Sequence, residues 1–195
     1  MKKNFIIILF AILFNFLSFY ISAETRKEPI DLIVAFDKST SMKEEIESVK
    51  NYIKNEIIDN VLQTGDYFVV IAFYGETQIL VSELIKSNEQ KQNLKKIISG
   101  ISATGKFTDI PNAMDKLKEE LEAKSTTNRK KTLIMLTDGA NEPPKTSKYY
   151  NAKGTFTHEY KEKISKEIQK DGWKVIVFGI GKESAKEIAE TCDAE

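Results

Sequence analysis

Four short runs, Ile30–Phe36, Tyr67–Tyr74, Thr132–Leu136 and Trp173–Ile180, are rich in β-branched and aromatic residues and show almost no polar alternation. A strand apolar on both faces has to be covered on both faces, which restricts the chain to sheets sandwiched between helices. Between the runs the spacing changes. Met42, Ile46, Val49, Ile53, Ile57 and Val61 recur every three or four residues with lysines and glutamates between them, which predicts one amphipathic helix from Met42 to Leu62, about five to six turns long. The same spacing predicts helices over Ser87–Ile98 and Asp109–Lys124, another ending near Lys170, and a last one from Lys182 to Ala194. Gly75-Glu76 reads as a turn and Thr77–Leu84 as the hairpin partner of the strand before it. Strands alternating with helices of this length give an α/β fold, three-layer and doubly wound, with a mostly parallel sheet and one antiparallel edge strand.

The 195-residue chain opens on Lys2 and Lys3, an apolar stretch from Phe5 to Ile21, and Ser22-Ala23 ahead of a charged segment. That order describes a secretory signal peptide over residues 1–23; the competing reading is a retained N-terminal membrane anchor, because the stretch approaches spanning length. Asn15, Ser18 and Ser22 weaken a span, and Ala23 supplies a cleavage point. Both readings place the remainder outside the cytoplasm: periplasmic, cell-surface or secreted if cleaved, membrane-anchored if not. Residues 24–28 then form a short linker and 29–195 one domain, long enough for a complete core. Without residues 1–23 the chain holds 27 basic and 29 acidic residues. So even a balance leaves no electrostatic footprint for nucleic acid or an anionic surface. The single Cys192 excludes an internal disulfide and a thiolate cluster. The single His158 excludes a multi-histidine zinc site and leaves no nucleophile–base pair, so no enzyme is expected.

The first run stops in Asp37-Lys38-Ser39-Thr40-Ser41, the third in Thr137-Asp138-Gly139, and Thr108 follows a glycine-bearing loop. Each has an ordinary explanation. Ser41 with Glu44 makes a capping box, Thr108 can cap the next helix, and Asp138-Gly139 is a turn pair. Taken together they read differently. Asp37, Ser39 and Ser41 fall at every second position, so an extended loop points all three the same way. In open α/β sheets, ligands sit where loops leave the carboxyl ends of strands. All five side chains offer oxygen, a donor set that selects magnesium, calcium or manganese over softer ions. Two carboxylates at most neutralise a divalent ion, so an ion held mainly by hydroxyls still attracts an outside acid.

Asp37-x-Ser39-x-Ser41, Thr108 within Gly105-Lys106-Phe107-Thr108-Asp109, and Asp138 within Leu136-Thr137-Asp138-Gly139 resemble, in order and spacing, the metal-ion-dependent adhesion site of von Willebrand factor A domains. The resemblance covers residues 29 to about 191 and implies the Rossmann-like fold of that family. It also implies that Ser39, Ser41 and Thr108 bind a Mg2+ ion (or Mn2+ or Ca2+) through their hydroxyls, with Asp37 and Asp138 direct or through water. A protein partner would complete the shell with an Asp or Glu carboxylate. Ser41-Met42-Lys43-Glu44-Glu45 is similar to integrin β-subunit domains, which implies Glu44 and Glu45 as candidates for an adjacent second metal; the ordinary reading keeps them as acids at a helix start. Against the family's usual length the helix from Lys182 is short, which leaves open a truncated product or a core completed by another chain.

The segment from Ala140 to Phe156 is long for a strand-to-helix connection. Starting beside Asp138, it is expected to form the rim of the cleft, with Glu142, Tyr149 and Tyr150 as partner contacts. The expected function is therefore an exported, non-catalytic, metal-dependent adhesion or assembly module, monomeric or part of a larger envelope complex. Two alternatives stand beside it. Asp37 and Thr137-Asp138-Gly139 also resemble haloacid dehalogenase phosphohydrolases, but the acid that chemistry needs two residues after Asp37 is here Ser39. The other is a degenerate structural subunit.

Overall fold

The computed structural model describes residues 26–123, 129–137, 141–153, 166 and 172–179. Residues 1–25, Asp138, the helix expected to end near Lys170 and the helix expected from Lys182 lie outside the described residues. Strands β1 (Asp31–Asp37), β2 (Tyr67–Phe73), β3 (Thr77–Leu84), β4 (Lys131–Thr137) and β5 (Lys174–Gly179) form one sheet in the order β3-β2-β1-β4-β5. Pairings β1–β2, β1–β4 and β4–β5 are parallel, and only the β2–β3 hairpin is antiparallel. The expected architecture is the observed one.

Every residue of β1 and β2 is buried. The two faces divide by alternation. Ile33, Ala35, Val69, Ile71, Leu133 and Met135 pack on one side with Ile110, Met114, Leu117 and Leu121 of helix α3 (Ile110–Ala123). Leu32, Val34, Phe36, Phe68, Val70, Ile134 and Leu136 pack on the other with Met42, Ile46, Val49, Ile53 and Ile57, and with Leu94 and Ile98 of helix α2 (Asn88–Ser99). Helix α2 starts as its sequence instructs: Ser87 is extended and its hydroxyl accepts the Gln90 N–H, while Gln90 Oε1 accepts the Lys86 N–H.

The single helix expected over Met42–Leu62 is instead three differently wound pieces. A 3-10 turn (Thr40–Glu44) leads into helix α1 (Ile46–Tyr52), which continues as a π-wound stretch (Ile53–Val61) closed by the Leu62 N–H on the Ile57 carbonyl at 2.8 Å. The cause is the apolar spacing. Ile53, Ile57, Ile58 and Leu62 are fully buried whereas Val61 is not. A period of about 3.6 residues cannot bring Ile53, the Ile57–Ile58 pair and Leu62 onto one line, and the wider i→i+5 turn does.

At the amino ends of β1 and β2, Asp66 is completely buried and receives a two-pronged ion pair from Arg26, with contacts of 3.1 and 2.6 Å. Its oxygens also accept the Ile30 N–H at 3.0 Å and the Gln63 N–H at 2.8 Å. Arg26, in the stretch read as a linker, is thus fastened to the domain.

Candidate metal site

The carboxyl ends of β1 and β4 and the loop before α3 meet at Asp37. Its side chain is fully buried, and it accepts the Ser39 N–H at 2.8 Å on one oxygen. On the other it accepts the Thr137 hydroxyl at 2.9 Å and the Thr108 hydroxyl at a long 3.5 Å. The Ser39 and Ser41 hydroxyls stand 2.8 Å apart. Of the five oxygen-bearing residues singled out in the sequence, Asp37, Ser39 and Ser41 share one turn and Thr108 reaches Asp37 from a second loop, while Asp138 follows directly on Thr137 outside the described residues. Adjacent ligands of a small octahedral ion with bonds of ~2.1 Å lie about 3 Å apart. The Ser39–Ser41 spacing of 2.8 Å is close to that value, and the Thr108–Asp37 spacing of 3.5 Å is wider than it.

The ordinary explanations fail at two of these positions. The 3-10 turn takes Ser39 as its cap residue, with no side-chain cap bond, and α1 takes Glu45, again with none. The Ser41–Glu44 capping box does not start this helix; the serine hydroxyls face each other instead. Nor does Thr108 cap α3. That role belongs to Asp109, whose carboxylate accepts the Asn112 N–H at 3.1 Å and whose carbonyl accepts the first helical bond from Ala113. Thr108 spends its backbone on Glu142, donating at 2.9 Å and accepting at 2.7 Å, which leaves its hydroxyl for Asp37.

The loop before α3 is pinned along its length. Gly105 donates to Lys38 O and accepts from Thr40, Lys106 O accepts from Gly75, and Asp109 donates to Tyr74 O. A Cβ on Gly105 would lie 2.4 Å from the Tyr74 Cβ, so the close approach that bridges Gly105 to Ser39 requires glycine.

Three contributors escape a sequence reading. Thr137 reads only as the start of the turn that stops the third run, although β4 includes it, Asp109 as a surface acid, and Asn141 as a loop polar residue. Yet buried Asn141 accepts the Ile110 N–H at 3.1 Å and so ties the loop after β4 to the start of α3. That loop is further fastened through Asp115 of α3, which takes the Tyr149 hydroxyl and the Lys148 ammonium. Burial, with Asp115 second, pushes the Tyr149 hydroxyl up to about 12. Of the expected rim residues, Tyr149 is half-buried against the α3 core, whereas Glu142 and Tyr150 are exposed. Glu44 is exposed and Glu45 half-buried. Among the described residues no three His, Cys, Asp or Glu side chains are arranged to hold an ion; a second metal at Glu44 and Glu45 gains no further ligand there.

Burial raises the Asp109 carboxyl above its ordinary value; the Ser147 hydroxyl, the Asn112 N–H and Lys148 oppose this, and Asp115 adds to it. An acid raised on folding binds its proton more tightly when folded, so stability falls as pH climbs from the unfolded value of 3.8 through the folded one, and the penalty then stays constant. Asparagine caps as well as aspartate does. Asp109→Asn should therefore be neutral or stabilising at neutral pH and should flatten that stretch of the curve. Thermal midpoints from about pH 4 to 7 check this, and a clear loss at pH 7 would contradict it.

A sequence model described as the von Willebrand factor type A domain matches residues 31–194. An uncharacterized protein of Treponema pallidum (strain Nichols) is 28% identical over 158 residues, covering 80% of this chain and 70% of its own. Among solved structures, a von Willebrand factor type A protein of Catenulispora acidiphila superposes with a TM-score of 0.67 at 17% identity, over 86% of this chain and 38% of its own. Proximal thread matrix protein 1 of the mussel byssus, with a zinc-occupied metal-ion-dependent adhesion motif, gives 0.61 at 21% identity over 86% and 43%. This chain spans less than half the length of either solved protein.

Proposed function

The chain belongs to the von Willebrand factor type A domain family, and from that premise we propose that it is an exported, non-catalytic module that binds an acidic protein partner through a divalent cation. Ser39, Ser41 and Thr108 would hold the ion by their hydroxyls, with Asp37 and Asp138 bonding directly or through water. A bound cation supplies a positive charge with a coordination position open to an outside carboxylate. What the chain's own residues do follows from their contacts. Asp37 accepts at least three hydrogen bonds and fixes the three loops around one point. Gly105 and Glu142 hold Ser39 and Thr108 by their backbones. Neutral hydroxyls then carry most of the contact, so the ion's charge is not quenched.

The observation that carries this reading is the approach of the Thr108 hydroxyl, from the loop before α3, to Asp37 in the turn whose Ser39 and Ser41 hydroxyls stand 2.8 Å apart. Magnesium is the proposed ion on donor chemistry, with manganese or calcium as substitutes. Zinc in the mussel protein supports divalent occupancy at such a motif and warns that hardness alone does not choose the metal. Export rests on the basic-then-apolar leader. The phosphohydrolase alternative is dropped: the position two residues after Asp37, where that chemistry needs an acid, holds Ser39, whose hydroxyl cannot protonate a leaving group at neutral pH.

Calorimetric titration with Mg2+ or Mn2+ should find one site in the protein, lost in Ser39→Ala and in Thr108→Ala with circular dichroism unchanged. Pull-downs from envelope extract should then recover a partner in Mg2+ and not in chelator. Equal metal binding in all three proteins would refute the assignment.

A further inference from the structure

Immediately before Thr108, Phe107 adopts a left-handed backbone conformation with φ of 67°, alone among the described non-glycine residues. For an aromatic residue this is an unfavourable region, tolerated only where surrounding contacts impose it. The contacts are present: Lys106 O is held by Gly75, and Thr108 is held on both sides by Glu142. Gly75 also makes room for the side chain, since a Cβ there would sit 3.2 Å from the Phe107 Cβ. Burial does not offset the strain. Phe107 is 52% exposed, the most of any large apolar residue described. Glycine would satisfy the backbone without strain and expose no ring. In the free protein Phe107 is therefore unfavourable twice over, and both costs fall on a residue adjoining the hydroxyl that would hold the ion.

We propose that Phe107 is the specificity contact of the partner interface: the segment whose carboxylate reaches the hydroxyl site carries an apolar or aromatic side chain beside that acid, and this side chain packs on the Phe107 ring. The proposal rests on the metal-dependent reading above and adds the partner's second recognition element. A ring with only two side-chain torsions, carried on a pinned backbone, loses little freedom on binding, which suits an anchor. Phe107 and Thr108 are consecutive on one held loop, so an acid reaching the Thr108 hydroxyl would carry its sequence neighbour into the region of the exposed ring.

The test is selection of phage-displayed heptapeptides with a fixed central aspartate on the Mn2+-loaded protein, wild type against Phe107→Gly. Wild type should enrich apolar or aromatic residues within two positions of the aspartate, and the best such peptide should bind Phe107→Gly about tenfold more weakly or worse. Phe107→Gly should keep the wild-type Mn2+ affinity and melt at the same temperature or higher, because glycine relieves the backbone. Undiminished peptide binding, a lower melting temperature, or a selection without apolar preference or without binders overturns the proposal. Absence of Mn2+ binding by the wild type would instead remove the metal reading, and this inference with it.

Discussion

Asp37→Ala should cost ~3 kcal/mol or more and abolish Mg2+ and Mn2+ binding, because it takes an acceptor from three buried donors at once. The Ser39 N–H and the Thr137 and Thr108 hydroxyls all end on this carboxylate. Hydrogen bonds to a charged group are worth ~1.5–3 kcal/mol each, and stranded donors add their desolvation cost. Asp37→Asn separates the two roles. The amide keeps one acceptor for the Ser39 N–H and offers N–H where the carboxylate had oxygen; threonine hydroxyls can rotate to accept from it. Its cost should stay within ~1–2 kcal/mol. The negative charge is nevertheless gone, and metal affinity should fall by ~10–100-fold even if Asp37 reaches the ion only through water. Urea unfolding reads the first quantity and calorimetric titration the second. An alanine variant as stable as wild type would remove Asp37 from its central place; an asparagine variant with undiminished affinity would show that its charge does not serve the ion.

The strands were legible because burial on both faces writes a continuous apolar run: Leu32–Phe36 and Phe68–Phe73 can be little else. The cluster around Asp37, proposed above as a metal site, stood out in the sequence for a similar reason, since Asp37, Ser39 and Ser41 interrupt such a run abruptly. What failed were inferences from short-range chemistry. Ser41 and Glu44 have the spacing of a capping box, and Thr108 stands where a cap could be, but the Ser41 hydroxyl meets Ser39 in its own turn and the Thr108 hydroxyl meets Asp37 across the fold. A local hydrogen bond and a distant one compete for the same donor, and only the three-dimensional arrangement shows which is made. The π-wound stretch is a milder case: Ile53, Ile57, Ile58 and Leu62 state a wider period, although Val61 continues the ordinary one for a single residue. Thr137 was invisible for the opposite reason. Nothing in a β-branched residue at a strand end tells whether its methyl or its hydroxyl matters, and here the hydroxyl holds Asp37.

The Arg26–Asp66 pair, at the amino ends of the strands and so at the opposite pole from the site, carries the other large expected effect. Arg26→Ala leaves a carboxylate of zero exposure with the Ile30 and Gln63 N–H groups and the nearby charge of Lys91 to compensate it. Breaking a buried pair by removing one partner costs ~3–5 kcal/mol. Arg26 keeps 29% of its side chain in water, so the low end, about 3 kcal/mol, is expected. The stronger statement concerns sign. If the loss comes from an uncompensated buried charge, removing that charge as well should return part of it: Arg26→Ala with Asp66→Asn should be more stable than Arg26→Ala alone, though below wild type, since Arg26 also donates to Val61 O. Midpoints of urea unfolding decide the order. A double variant less stable than the single would mean that Asp66 acts mainly as a backbone acceptor, its charge incidental. Metal affinity of folded Arg26→Ala should match wild type, because sites sharing no partner add independently; a weakened site would mean that the two poles of the sheet are coupled.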